Sequence, residues 1–121
     1  MENYGKEVVL DIHNCKIDNF NEEGLEKYFA ELCDRIDMVR CDLHFWDSKN
    51  MVPVPTEPHL VGISAIQFIK TSNVTIHTLT DMKRVYLNIF SCKDFEAETV
   101  IEVSKKYFGG DIISSTVIDR I

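Results

Sequence analysis

Three β-rich runs, at residues 61–70, 74–78 and 84–90, follow one another with only short connections. Their branched and aromatic side chains suit strands. Short connections join antiparallel neighbours, because a parallel pair needs a crossover of a dozen residues or more. An antiparallel meander is therefore expected at the centre of the fold. Around it, residues 6–15 read as a strand, with Val8, Leu10 and Ile12 on one face and Val9, Asp11 and His13 on the other. Leu25, Tyr28, Phe29, Leu32, Cys33 and Ile36 recur at helical spacing and predict a helix over 22–37, with Asn21 as its N-cap. Residues 41–46 read as another strand, with His44 and Trp46 sharing a face opposite Leu43 and Phe45; packing within the sheet is the expected role of both.

Residues 47–59 carry all three prolines, Pro53, Pro55 and Pro58, which neither a helix interior nor a central strand tolerates. A long loop is expected there, serving either as a binding loop or as an unstructured connection. Phe95, Thr99, Val100, Val103, Tyr107 and Phe108 form the apolar stripe of a second helix over 96–108, stopped by Gly109-Gly110, and 112–118 reads as a last strand. The order strand, helix, strands, helix, strand predicts an α+β two-layer sandwich: one antiparallel β-sheet with both α-helices packed on one face.

With 121 residues, 45% of them hydrophobic, the chain suits one core, and a single domain over 1–121 is expected. A formal net charge of -7 without any basic stripe argues against nucleic acid. No apolar stretch approaches the roughly 20 residues that span a bilayer, so no membrane partner is expected. The start, Met1-Glu2-Asn3-Tyr4-Gly5-Lys6-Glu7, lacks the basic and then apolar pattern of a signal peptide, and a cytosolic location is expected. Cys15, Cys33, Cys41 and Cys92 show no C-x-x-C pair and no zinc spacing with histidine. They read as free thiols, and no metal site is expected.

The chemistry-bearing residues gather between positions 62 and 92. Ser64, Ser72 and His77 fall near a strand-to-strand junction, and Cys92 arrives at the end of the next strand. Spacing alone does not make these a catalytic set. The G-x-S-x-G turn of an α/β-hydrolase is missing and no Asp is positioned to orient His77, so spacing alone favours hydroxyl-rich strand ends with a solvated histidine over catalysis.

Taken together, Gly62-Ile63-Ser64, then Ser72-Asn73-Val74-Thr75-Ile76-His77-Thr78, then Phe90-Ser91-Cys92 resemble the bacterial and archaeal S-adenosylmethionine decarboxylase proenzymes. These are small, self-cleaving and pyruvoyl-dependent. The resemblance implies that Ser72 attacks the carbonyl of Thr71, that His77 with Ser64 assists elimination, and that cleavage between Thr71 and Ser72 leaves chains 1–71 and 72–121. The pyruvoyl group made from Ser72 would then form a Schiff base with a small-molecule substrate and accept the electrons released with carbon dioxide, with Cys92 as proton donor and no external cofactor. It also implies a homodimer with active sites at the subunit boundary, and a place in spermidine and other polyamine biosynthesis.

The chain departs from the family pattern at several positions. Thr71 stands where a Glu is usual before the cleaved serine, and Asn73 where a His follows it; Leu79-Thr80-Asp81 replaces W-P-E. In the family that tryptophan helps to sandwich adenine. Leu79 and Asp81 would then line the substrate site, and an acid without an aromatic partner suits a basic amino acid such as ornithine or arginine as well as S-adenosylmethionine. Phe45 and Trp46 are the nearest aromatics before Gly62. A homologue that never cleaves and serves as a binding or regulatory subunit is the alternative, and an unrelated α+β interaction module is a third.

Overall fold

The computed structural model describes residues 3–121, so Met1 and Glu2 of the N-terminal reading lie outside it. Six strands and two helices follow the expected order: β1 (Gly5–His13), α1 (Glu22–Arg35), β2 (Arg40–Asp47), β3 (Gly62–Ile69), β4 (Ser72–Leu79), β5 (Arg84–Ser91), α2 (Ala97–Phe108) and β6 (Asp111–Arg120). The sheet order is β2-β3-β4-β5-β1-β6, and every neighbouring pair is antiparallel. The meander accounts for β2 through β5. α1 carries the chain from β1 to the far edge, and α2 carries it from β5 past β1 to β6.

One face of the sheet is buried beneath the helices. Val8, Leu10, Ile12, Val74, Ile76, Val85 and Ile89 point into it from the strands, meeting Leu25, Phe29 and Leu32 of α1 and Val100, Val103 and Phe108 of α2. This is the α+β sandwich the periodicities predict. Asn21 caps α1 through its side-chain oxygen, which accepts the Gly24 N–H at 2.7 Å. Gly109, at φ 59°, ends α2 as expected. A buried polar contact also joins the helices: the hydroxyl of Tyr28, within the predicted stripe of α1, lies 2.8 Å from that of Ser104, which is outside the predicted stripe of α2.

Gln67 is buried on the same inner face among apolar strand residues, where an amide must find partners. Its Nε2 donates to the carbonyls of Cys41 at 3.0 Å and Phe68 at 2.8 Å, and its Oε1 accepts from Arg40 Nε at 3.0 Å. These bonds stitch the place where the β2–β3 register shifts between Arg40 and Leu43.

The other face has no helix over it. His44 and Trp46 lie there, while the covered side of β2 belongs to Leu43 and Phe45; His44 packs edge-on against Phe68 of β3, as expected, whereas Trp46 is 58% exposed, which corrects the expectation that it serves sheet packing. The proline-rich segment is a loop, as expected, and contains two short 3-10 turns at Ser48–Asn50 and Pro58–Leu60. It is tied to β3 where Ser48 Oγ accepts the Gly62 N–H at 3.0 Å.

Candidate active site

Residues 69–72 form a tight hairpin, because Ile69 pairs with Ser72 and leaves only Lys70 and Thr71 to turn the chain. Ser72 is 8% exposed, and its Oγ accepts the backbone N–H of Cys92 at 3.3 Å. Thr71 is exposed; its hydroxyl donates to the Lys70 carbonyl at 2.7 Å and lies 3.1 Å from Cys92 Sγ. The register of β5 against β4 and β1 delivers Cys92 to this corner. The Thr71 hydroxyl, aided by those of Ser72 and Tyr4, holds the Cys92 thiol below its ordinary pKa against the opposing effect of desolvation.

Two clefts open on either side of Cys92. One, of about 350 Å³, lies between Met38, Val39, Thr71 and Lys93. The other, of about 250 Å³, lies between Tyr4, Lys6, Asp94 and Asp119. Ion pairs brace both: Lys93 to Asp37 at 2.6 Å and Lys6 to Asp94 at 2.8 Å. Sequence reasoning missed Tyr4. It precedes the first strand and reaches Cys92 only because β1 lies beside β5, a pairing that no local signal announces.

The second group lies elsewhere. Ser64 and His77 are cross-strand partners on β3 and β4, and Ser64 Oγ lies 2.7 Å from His77 Nδ1. His77 Nε2 has no hydrogen-bond partner among the described residues. Trp46 stands opposite Ser64 on β2. A cavity of about 320 Å³ beside this pair is lined by Trp46, Met51, His59, Leu60 and Leu79. Leu79 therefore borders the His77 group, whereas Asp81 lies exposed in the turn between β4 and β5, outside this lining.

Within one chain the two groups do not meet. His77 is five residues beyond Ser72 on β4, a separation of about 17 Å at the rise of an extended strand. The odd count also turns the side chains to opposite faces: Ser72 to the covered face, His77 to the open one. Thus the structure brings Thr71, Ser72 and Cys92 together, and Ser64 and His77 together, but leaves the pairs apart.

Comparison with known proteins agrees with the fold and shows the family. No curated protein sequence matches the chain. An adenosylmethionine decarboxylase from Aquifex aeolicus VF5 superposes with a TM-score of 0.79 over 99% of this chain and 92% of that one. The two are 13% identical, so this likeness is one of fold. The family model for S-adenosylmethionine decarboxylase matches residues 6–121, from the first strand through the last and across both residue groups, and the chain belongs to that family.

Proposed function

We propose that this chain is a self-processing, pyruvoyl-dependent decarboxylase whose working site forms between two copies. The observation that carries the reading is the division just described: a nucleophile and proton carrier, Ser72 and Cys92, at one corner, and a hydrogen-bonded Ser64–His77 pair about 17 Å away on the other face. A second copy offers the missing half to each. The open face leaves the His77 half accessible to the hairpin corner of a second copy, since Trp46, Ile66 and Phe68 are 58%, 38% and 44% exposed on it.

The residues at the hairpin fit a pyruvoyl group made from Ser72. Its hydroxyl lies next to the Thr71 carbonyl in sequence and is fixed by the N–H of Cys92, which is itself flanked by clefts able to admit a small molecule. In the processing reaction Ser72 Oγ attacks the Thr71 carbonyl carbon, the C–N bond breaks, the nitrogen gains the hydroxyl proton and an ester remains. His77 of the second copy, oriented by Ser64, removes the Cα proton of residue 72 while the Cβ–O bond breaks and Thr71 leaves as a carboxylate. The resulting enamine takes a proton at Cβ to become an imine, and water then replaces the nitrogen of residue 72, which departs as ammonia. The resulting ketone supplies a carbonyl that captures a substrate amine and accepts the electron pair released with carbon dioxide. Cys92 Sγ holds the proton beside it.

For substrate, S-adenosylmethionine is favoured by the cavity at His77, whose lining sets the apolar Trp46, Met51, Leu60 and Leu79 beside His59 and hydroxyl groups and includes no carboxylate. Such a lining suits a flat, weakly polar ring better than a second ammonium group. Ornithine or arginine is the second reading, favoured by Asp119 in the cleft beside Cys92. The free cysteines fit a reducing, cytosolic setting, and the family supports a role in polyamine biosynthesis. Intact-mass measurement of purified protein should find two fragments divided between Thr71 and Ser72, with Ser72→Ala remaining whole. Carbon dioxide release from labelled S-adenosylmethionine, ornithine and arginine in parallel then identifies the substrate. A wild-type chain that stays whole on prolonged warming would leave a non-processing binding subunit as the function.

A further inference from the structure

Thr71 has a φ of 58°, in the left-handed region. For a β-branched residue this is an outlier, because Cβ and its branches crowd the adjoining backbone. The other non-glycine residues with positive φ are Asn14, Asp37 and Lys83, of which the first two tolerate that region. The turn itself adds to the strain. A two-residue hairpin connection matches the strand twist when φ is positive at its first position or at both. Here it is positive only at the second, the pattern of a type II turn, where glycine is the usual occupant.

Several contacts hold this conformation in place. Ile69 and Ser72 are buried on either side of the turn. The Lys70 N–H donates to the Val39 carbonyl at 3.1 Å. The Thr71 hydroxyl is held between the Lys70 carbonyl and Cys92 Sγ. Such over-determination is what allows an unfavourable backbone state to persist.

Building on the self-processing reading, we infer that the strained backbone of Thr71 is a positioning device that drives cleavage of its own peptide bond. The left-handed residue contributes the acyl group that Ser72 attacks. When that acyl group moves from nitrogen to oxygen, the link between Thr71 and the α-carbon of residue 72 lengthens by one bond and the two-residue turn relaxes. Strain present in the amide and released in the ester favours the ester. Threonine thus does through its backbone what no side-chain acid is present at this position to do.

Three variants test this by the rate of chain cleavage in intact-mass measurements. Thr71→Gly and Thr71→Asn relieve the strain and should cleave about 5–30-fold more slowly than wild type. Thr71→Val retains the β-branch and should cleave faster than either. In a Ser72→Ala background, which cannot cleave, the Gly and Asn changes should raise the melting temperature by about 2–5 °C. Equal cleavage rates in wild type and Thr71→Gly, a Val variant as slow as the Gly variant, or an unchanged melting temperature would each overturn the inference. A wild-type chain that never cleaves refutes instead the self-processing reading beneath it, while the melting measurement still reports whether the turn is strained.

Discussion

If each site takes Ser72 from one copy and His77 from the other, two inactive variants should repair one another. A general base must come within about 3 Å of the proton it removes. The five-residue offset along β4 holds His77 about 17 Å from Ser72 of its own chain, on the opposite face, so no side-chain rotation closes the gap. His77→Ala keeps a cleavable Ser72 but lacks the base; Ser72→Ala keeps the base but cannot be cut. Each alone should stay whole. Mixed in equal amounts and folded together, half of the His77→Ala chains find a Ser72→Ala partner if pairing is random, and each such pair contains one complete site. About half of the His77→Ala chains, or about a quarter of all chains, should then be cut, which a denaturing gel or intact-mass spectrum reads directly. Adding excess of the Ser72→Ala, His77→Ala double variant to wild-type chains should spare most of the latter. Absence of cleavage in a mixture shown by tag capture to contain mixed dimers would refute the shared site, and cleavage of His77→Ala alone would remove His77 from its assigned role.

Three other outcomes follow from single contacts. Iodoacetamide should modify Cys92 at lower pH than Cys15 or Cys33, whose thiols burial pushes up to about 11; Thr71→Val, which removes the hydroxyl that most lowers the Cys92 pKa, should move its reaction midpoint upward. Because a proton donor must be in the thiol form, decarboxylation should fall on the alkaline side as pH rises through that lowered pKa, and a Cys92 midpoint no lower than that of the denatured chain contradicts this. Gly62→Ala should destabilise the fold by about 2–3 kcal/mol in urea unfolding, because an added Cβ would lie 1.7 Å from the Thr78 carbonyl oxygen; a loss under about 0.5 kcal/mol would show that β3 and β4 can separate there. Tyr28→Phe and Ser104→Ala should each cost about 1–3 kcal/mol by leaving one buried hydroxyl unpaired, and the double variant should cost less than their sum; strict additivity would deny the hydrogen bond.

Much of this molecule was readable before any tertiary contact was considered. Alternation in β1 and β4 and the helical stripe of α1 follow from local periodicity, and side chains that share a face must share an environment. Ser64, Ser72, His77 and Cys92 are singled out by a family resemblance instead, since their spacing alone does not make a catalytic set. The face taken by Trp46 was not legible, because period two divides a strand into two sides without saying which one the helices cover. The approach of Tyr4 to Cys92 depends on β1 entering between β5 and β6, a pairing across more than eighty residues. Above all, the offsets suggest one cluster where the fold makes two: spacing along a chain is one-dimensional, whereas the rise and pleat of β4 turn five residues into a separation of about 17 Å and place Ser72 and His77 on opposite faces.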